Sequence, residues 1–263
     1  MDPSHLQDFT MLEYYASYWN YIDNMDFTEK LLSTVIEQCI GSLQVPHAAG
    51  EIDFSGPWPR RSLLELIEQS TGIAVESCPD ADSLRSALEA AGIHIDGAPK
   101  LGRGALIDQL YKKTVRPSIT QPTFITSHPV DLSPLARRND DEPTISDRFQ
   151  LVIHGWEVIN AYSELVDPID QRQRLEEQAK LNAEGDDEAM MMDEDYLLAM
   201  EHGMPPISGW GMGIDRIVAL LCGAENLRDV VLFPLLKPEE GSAIEDAILE
   251  AGEEAPAIEG AGA

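Results

Sequence analysis

Three glycines at alternate positions, followed directly by a helical pattern, constrain the fold of this chain most strongly. The stretch from Ser208 to Arg216 reads SGWGMGIDR, with glycine at Gly209, Gly211 and Gly213. Residues two apart in a strand point to the same side, so these glycines would leave one strand face without side chains. The sequence therefore predicts a bare strand against which something flat can lie. The alternative is a glycine-rich bend in tight packing.

An amphipathic helix is predicted just after this strand. Apolar residues recur at helical spacing from Ile214 to Cys222, and Gly223 provides a stop signal. Arg216 would then lie in the first turn, beside free backbone donors that favour anions. The glycines do not have the spacing of the dinucleotide-binding fingerprint. The pattern indicates an anion-binding strand and helix of another kind.

The net charge limits the choice of partners. The 263 residues include 47 Asp and Glu against 18 Lys and Arg, a formal charge of −29. Such a field repels polyanions, which taken alone argues against a nucleic-acid binder. Adaptation to high internal salt and a solvated acidic tail are competing explanations. Residues 239–263 contain eight acidic and no basic residues, and we expect this tail to be disordered or weakly helical.

Length, cysteines and the N-terminus narrow the class of protein. A chain of this length forms one large domain or two small ones. Its three cysteines lie far apart and its six histidines lack metal-site spacing, which predicts free thiols. No export signal is evident, and no stretch approaches the roughly 20 apolar residues of a membrane span. We expect a cytoplasmic protein with no membrane contact.

The first part of the chain reads as a strand followed by a helix. Aromatic residues and Thr predict a strand within residues 8–19, with Phe9 on its Glu13 face. A helix is predicted from Asp26 as N-cap to Gly41 as stop.

Further helix signals follow. Ser62 and Glu65 form a capping box at the start of several helices, and residues 62–116 are expected to be a helical insertion between sheet elements. The remaining signals predict strands within 51–56, 121–130 and 148–165, a helix from Pro168 with Asp167 as N-cap, and a helix ending at Gly203.

Two predicted strands carry acidic residues among aromatic ones. Glu13 shares a face with Tyr15, and Glu164 shares a face with Asn160 and Tyr162. Burying a carboxylate costs several kcal/mol unless an opposite charge arrives, and a ligand ammonium on an apolar stem would supply it. The alternatives are pairing with the chain's own Lys or Arg, and glycoside hydrolysis, for which no sugar-stacking groove is evident.

Glu157 falls on the opposite parity from these strand residues. It joins the face of Asn160 only if the strand bends or bulges between the two. The alternative is a regular hairpin with Glu157 on the solvent face.

Five long stretches carry a resemblance to a known family. They read FTMLEYYASY, SPLARRNDDEPTISDRF, GWEVINAYSELVDPIDQRQRLEEQ, DEAMMMDEDYLLAMEHGMPPISGWGMGIDRIVALL and LRDVVLFPLLKP. In this order, over residues 1 to about 238, they are similar to the C-terminal half of bacterial-type lysyl-tRNA synthetase, a class II synthetase. The resemblance implies an α+β fold, a class II antiparallel sheet flanked by helices and truncated at its N-terminus, over residues 1–238.

The resemblance also implies a nucleotide site. In the family, ATP lies against the glycine-rich strand, so Gly211 would approach the nucleotide and Arg216 would hold it. By the same correspondence Phe9 would stack on adenine and His5 would approach the phosphates. Glu157 matches a carboxylate that binds Mg²⁺ and nucleotide. Arg216 and Glu157 are thus the candidate catalytic residues, and Mg²⁺ is the implied cofactor.

A lysine site is implied beside it. Glu13 and Tyr15 match residues that contact the side-chain ammonium of lysine, and Asn160, Tyr162 and Glu164 match the rest of the lysine-binding set. The implied activity is formation of lysyl-adenylate from lysine and ATP, followed by transfer to tRNA-Lys, in a family whose full-length members are homodimers.

Three departures from the family pattern stand out. The Arg-x-Glu of the second class II motif would lie immediately before Met1, and the first motif and the anticodon-binding barrel would lie earlier. Gln150 stands where many relatives have a second metal-binding Glu, which leaves the number of Mg²⁺ ions open. Trp156 replaces a more usual Arg.

These departures leave three hypotheses. The first is a lysine–tRNA ligase in a truncated or split form, with a separate N-terminal half as a possible partner. The second is a paralogue that lysylates a protein or small molecule. The third is a non-catalytic subunit or sensor that binds lysine or nucleotide.

Overall fold

The computed structural model describes residues 4–48, 50–186 and 189–235, so the predicted tail at 239–263 lies outside it. The ten strands of the described part are β1 Met11–Ser17, β2 Gln44–Val45, β3 Ile52–Asp53, β4 Arg60–Ser62, β5 Thr123–Thr126, β6 His128–Pro129, β7 Ile145–Ser146, β8 Arg148–Ile153, β9 Trp156–Ser163 and β10 Ile207–Gly213. The seven α-helices there are α1 Tyr21–Ile40, α2 Leu63–Thr71, α3 Ala81–Ala90, α4 Arg103–Thr114, α5 Pro168–Ala183, α6 Glu194–Glu201 and α7 Ile214–Cys222.

Six of the strands form one sheet in the order β1-β10-β9-β8-β5-β4. Neighbouring strands run antiparallel except β4 and β5, which pair in parallel across the connection that contains α2, α3 and α4. The predicted α+β class with a mainly antiparallel sheet is confirmed.

One face of the sheet is covered by α1. Leu32 and Ile36 of α1 pack in a buried cluster with Phe149, Ile159 and Trp210 of the sheet. The Trp210 indole donates a hydrogen bond to Thr28 Oγ1 of α1 at 2.8 Å. Because Trp210 alternates with the glycines of β10, the glycines lie on the opposite face.

A second buried cluster lies within residues 62–116. Ile67 of α2, Leu84 of α3 and Leu106 of α4 belong to it, together with Ile125 and Val152 of the sheet. The three helices thus share a core with one end of the sheet. Treating residues 62–116 as an insertion, and 1–238 as one catalytic domain, remains our proposal.

The predicted start of α1 was wrong. The helix begins at Tyr21, and its N-cap is Asn20, whose Oδ1 accepts the N–H groups of Ile22 at 2.8 Å and Asp23 at 3.1 Å. The Asp23 carboxylate accepts the Asn20 N–H in return at 2.8 Å. This earlier capping box satisfies the first turn, whereas Asp26 lies inside the helix and pairs with Arg60.

The other helix ends agree closely with the sequence signals. Ser62 caps α2 by accepting the Glu65 N–H, and Asp167 caps α5, which begins at Pro168. The Gly41 and Gly223 stops end α1 and α7 in the left-handed conformation, at φ of 81° and 69°. None of the helices described here has the length and apolar character needed to cross a bilayer.

Candidate functional site

The glycine-bearing face of the sheet holds two rows of side chains. Directly opposite positions across β1, β10, β9 and β8 form the row Glu13, Gly211, Asn160 and Gln150. The next row is Tyr15, Gly209, Tyr162 and Arg148. Since β10 contributes only glycine to each row, a gap separates the side chains of β1 from those of β9.

Gly209 is required by a carboxylate that comes close to its backbone. A Cβ at this position would collide with Glu164 Oε1 and would lie 2.9 Å from Tyr15 Cε1. At Gly211 a Cβ would meet only the Met11 methyl group, at 3.2 Å, and the Glu13 side chain beyond 3.4 Å. The bare strand predicted from the sequence is thus confirmed, and its first glycine leaves room for Glu164.

A small cavity of about 150 Å³ lies over this gap. Its lining consists of Met11, Glu13, Tyr15, Asn160, Tyr162, Glu164, Gly209, Trp210 and Gly211. The structure therefore brings all five residues predicted to bind lysine to one cavity. Glu13 and Tyr15 come from the sheet edge, and the other three come from β9 and its end.

Glu164 is the most unusual group in this cavity. The residue is 5% exposed, and its Oε1 has no hydrogen-bond partner among the described residues. Burial raises the pKa of this carboxyl to about 8, although a hydrogen bond from the Gly209 backbone N–H opposes the shift. A carboxyl in this position gains strongly from an approaching cation.

Three tyrosines surround this carboxyl. Burial raises the pKa of the Tyr15, Tyr162 and Tyr196 hydroxyls, and the nearby Glu164 carboxylate raises each further. Sequence analysis missed Tyr196, which α6 brings from a segment whose pattern indicated only a helix. Of these rings, those of Tyr15 and Tyr162 line the cavity beside the buried acid.

Arg148 orients the amide of Asn160. Its Nε donates to Asn160 Oδ1 at 2.9 Å, while one terminal nitrogen donates to the Leu132 carbonyl at 3.0 Å and to Ser133 Oγ at 2.9 Å. The guanidinium thus ties the loop after β6 to the cavity floor. Sequence analysis missed this role because it depends on the register between β8 and β9.

A bulge in β9 brings Glu157 to the same face. Leu151 pairs with Ile159 and Val152 pairs with Glu157, so Val158 is the extra residue. Glu157 Oε2 accepts the Gln150 amide N–H at 2.9 Å, on the face of Asn160. Of the two alternatives that the sequence left open, the bulge is therefore present, and the regular hairpin with Glu157 on the solvent face is wrong.

A larger cavity of about 320 Å³ adjoins the small one. Its lining includes the predicted nucleotide residues His5, Phe9, Glu157, Gly211 and Arg216. Met11, Asn160 and Gly211 line both cavities. The two predicted sites are therefore neighbours that share walls.

The start of α7 shapes one wall of the larger cavity. Arg216 lies in the first turn, and its terminal nitrogens donate to the Glu157 carbonyl at 2.6 Å and to the Ser4 carbonyl at 3.3 Å. Asp215 Oδ2 accepts the Thr10 N–H at 2.7 Å, which joins α7 to the segment before β1. The guanidinium is thus fixed at the cavity wall by two chain segments.

A metal site built from protein ligands alone is not found in the described residues, where no three His, Cys, Asp or Glu side chains cluster suitably. Glu157 stands there with the neutral Gln150 as its neighbour. These two side chains suit a metal ion most of whose ligands come from water or from a bound substrate.

A third groove, of about 580 Å³, lies near α5 and the loop after β6. Its arginines are engaged in the protein: Arg103 pairs with Asp131 at 2.7 Å, and Arg174 and Arg138 pair with Asp170 at 2.7 and 3.4 Å. These internal pairs make the groove a weaker candidate for an anionic ligand.

Comparison with known proteins places the site in a family. The family model described as "tRNA synthetases class II (D, K and N)" matches residues 1–237. Among curated proteins, the chain is 44% identical over 236 residues to Lysine--tRNA ligase of Pelotomaculum thermopropionicum, covering 90% of this chain and 47% of that protein. It is 43% identical over 236 residues to Lysine--tRNA ligase of Moorella thermoacetica, covering 90% of this chain and 48% of that protein.

The chain thus spans about half the length of the curated relatives it matches. The match extends over nearly all of the described fold, including both cavities and the glycine-bearing strand between them. This chain belongs to the class II tRNA synthetase family that comprises the D, K and N enzymes.

Proposed function

We propose that this chain supplies the lysine- and ATP-binding part of a lysine–tRNA ligase. The observation that carries the proposal is the buried Glu164 carboxyl, which has an unpartnered oxygen in a small cavity beside Glu13. That cavity adjoins a second one, of about 320 Å³, that is lined in part by Arg216. Relatives at 44% and 43% identity bear the name of this enzyme.

The small cavity suits the side chain of lysine. A ligand ammonium beside Glu164 and Glu13 would offset the cost of the buried carboxylate. The rings of Tyr15 and Tyr162 would line the apolar stem, and Asn160, held by Arg148, would lie toward the shared wall. Among the described residues, no Lys or Arg of the chain itself forms an ion pair with Glu164.

The larger cavity suits ATP. We propose that adenine stacks on Phe9, that the nucleotide lies against Gly211, and that Arg216 and His5 face the phosphates. Phe9 is 62% exposed, which leaves one ring face accessible for stacking. Arg216 offers a guanidinium at a helix start, where anions are favoured.

Glu157 is the proposed Mg²⁺ ligand. Mg²⁺ is commonly bound by one or two carboxylates together with substrate phosphates. The single Glu157 carboxylate beside the neutral Gln150 amide is consistent with this mode of binding. When bound with ATP, the ion would neutralise phosphate charge. Gln150 would hold the Glu157 carboxylate in place through its amide N–H.

The proposed first step is adenylation of lysine. A lysine carboxylate oxygen forms a bond to the α-phosphorus of ATP while the bond from that phosphorus to the bridging oxygen breaks, and pyrophosphate leaves with the electron pair. The nucleophile is already an anion, so no protein base is needed. The shared wall of Met11, Asn160 and Gly211 holds the two substrates adjacent, and Arg216 offsets negative charge.

We extend the proposal to the partners of the whole enzyme. The lysyl group would pass to tRNA-Lys, and the complete enzyme would act as a homodimer in the cytoplasm. Recognition of tRNA would depend on parts of the enzyme outside this chain, because a chain of charge −29 attracts a polyanion poorly.

Calorimetry on the 263-residue chain tests the binding part of this proposal. Lysine is expected to bind above pH 8, whereas norleucine, which has the same stem without the ammonium, should bind at least tenfold more weakly. Equal binding of the two ligands would reject the cation site.

Lysine-dependent exchange of pyrophosphate into ATP, measured after the remaining half of a relative is supplied, tests the catalytic part. Lysine and ATP binding without exchange under those conditions would favour a non-catalytic subunit.

A further inference from the structure

His128 is a buried histidine whose ring has no hydrogen-bond partner. It begins β6 and is 1% exposed, and neither Nδ1 nor Nε2 has a partner among the described residues. Only its backbone is tied down, through a carbonyl that accepts the Ser146 hydroxyl at 3.0 Å. Buried polar atoms without partners lower the stability of a fold, whereas an apolar ring would carry no such cost. Packing alone therefore does not account for a histidine at this position.

Two residues of β8 lie near this ring. Burial and the Arg148 charge lower the pKa of His128 to about 3, whereas the nearby Gln150 side chain and Arg148 backbone favour the proton and oppose the shift. Arg148 and Gln150 are two residues apart in β8, so their side chains project to the same face of the sheet. At neutral pH the ring is therefore uncharged, with one donor and one acceptor nitrogen, beside a cation and an amide.

The same amide holds the carboxylate of the larger cavity. Gln150 Nε2 donates to Glu157 Oε2 at 2.9 Å, and Glu157 lines that cavity. An amide offers donors on one side and an acceptor on the other, so a rotated Gln150 would place its carbonyl oxygen against the carboxylate. A donor on the far side of the amide would hold it in the orientation that favours Glu157.

We propose that His128 is a positioning residue that supplies this donor, and so fixes Gln150 and Glu157 for the metal ion that accompanies the nucleotide. The lone-pair nitrogen of the neutral ring faces the Arg148 guanidinium, and the ring N–H faces the Gln150 carbonyl oxygen. The contact shortens when Mg²⁺–ATP engages Glu157, because hydrogen bonds in unliganded sites are often long or poorly aligned. The inference rests on the proposed function and adds to it a residue that lines neither cavity.

Replacement of the ring separates positioning from stability. His128→Phe keeps an aromatic ring and removes both unpartnered nitrogens, so the free energy of unfolding in urea at pH 7 should be unchanged or higher. Its affinity for Mg²⁺–ATP, measured by calorimetry on the 263-residue chain, should nevertheless fall about fivefold. ATP binding in EDTA and lysine binding should change little, because neither depends on how Glu157 is held. His128→Leu gives the same test if His128→Phe does not fold.

Tyr111→Phe is the matched control. The Tyr111 hydroxyl is also buried without a partner among the described residues, but it lies in the helical core of residues 62–116 and lines neither cavity. Its removal should likewise leave stability unchanged or higher, with Mg²⁺–ATP affinity equal to that of the parent chain.

The ring nitrogens provide a readout that needs no ligand. Nitrogen-15 spectra of the chain should show a single neutral tautomer of His128 from pH 6 to 8, assigned by its loss in His128→Phe. Gln150→Leu removes the carbonyl acceptor, so it should convert this signal into a mixture of tautomers.

Three results would overturn the proposal. They are equal Mg²⁺–ATP affinity in His128→Phe and the parent chain, equal losses of affinity for Mg²⁺–ATP, metal-free ATP and lysine, and a tautomer that Gln150→Leu leaves unchanged. The second result would indicate a purely structural role. Failure of the parent chain to bind Mg²⁺–ATP would instead reject the proposed function, and the tautomer would then still decide whether His128 contacts Gln150.

Discussion

Glu164 should make the proposed lysine binding and the stability of the fold depend on pH in opposite directions. Its pKa is about 8 in the folded chain and near 4.5 when unfolded. The folded state therefore holds a proton that the unfolded state has lost, and the contribution of Glu164 to the free energy of unfolding should fall as pH rises from about 4.5 to 8. Lysine, whose ammonium stays protonated there, should prefer the ionised carboxylate, so its affinity should rise about 50-fold from pH 6 to pH 8.

Calorimetric titrations at several pH values and urea unfolding measure these two trends. Glu164→Gln is the control, because it stays neutral. It should bind lysine at least tenfold more weakly at pH 9 and should be more stable than the parent chain there. His128 is fully buried, and burial lowers its pKa to about 3. Between pH 3 and 6.5 it therefore makes the free energy of unfolding rise with pH, and it does so in both the parent chain and the Glu164→Gln variant. An unchanged lysine affinity between pH 6 and 8 would contradict the assignment.

Two glycines of the same strand should tolerate a methyl group differently. Gly209→Ala places a carbon against Glu164 and the Tyr15 ring, and should cost about 1 to 3 kcal/mol of stability and block lysine binding. Gly211→Ala meets only the flexible Met11 methyl group at 3.2 Å, and should cost less than about 1 kcal/mol. Denaturant unfolding of the pair measures the difference. Equal losses of stability would show that crowding at Glu164 is not the cause.

Residue parity and burial cost were enough to predict much of this site. The alternation of aromatic and acidic residues indicated the cation cavity, whereas the parity of Glu157 left a bulge and a regular hairpin as alternatives. Arg148 and Tyr196 were not found, because their roles arise from strand register and from a distant helix. Such contacts have no local sequence signal.

At the scale of elements, the N-terminus of α1 allows the observed cap, Asn20, to be compared with the cap predicted from the sequence, Asp26. Asn20→Ala removes the acceptor for two N–H groups, so it should cost about 1 kcal/mol. Asp26→Ala removes only an exposed pair with Arg60, and should change stability by less than about 0.5 kcal/mol. Urea midpoints of both variants check this order. The reverse order would restore Asp26 as the cap.

Elements with strong local signals were predicted well, and those that depend on distant pairing were not. Helix α7, its glycine stop and the Asp167 cap of α5 follow from local periodicity and capping. The start of α1 was misplaced because two capping boxes occur within a few residues and both fit the local rules. The parallel pairing of β4 with β5 has no local signal, since it depends on how α2, α3 and α4 return the chain.

At the scale of the whole molecule, the charge of −29 should make stability depend on salt. Repulsion among the chain's negative charges opposes the compact state. The Debye length, over which salt screens this repulsion, shortens from about 30 Å at 0.01 M to about 3 Å at 1 M ionic strength. The thermal midpoint should therefore rise as NaCl increases over this range. KCl should give the same curve if screening is the cause. A midpoint that is independent of salt, or that differs between the two salts, would contradict this explanation.

The pairing of β1 with β10 also sets the order in which the sheet is completed during synthesis. Residues 11–17 leave the ribosome about 190 residues before their partners at 207–213. At about 5 to 20 residues per second, this delay is roughly 10 to 40 s. Throughout that interval β1 has no partner strand, so the nascent polypeptide carries seven residues of unpaired backbone until β10 emerges.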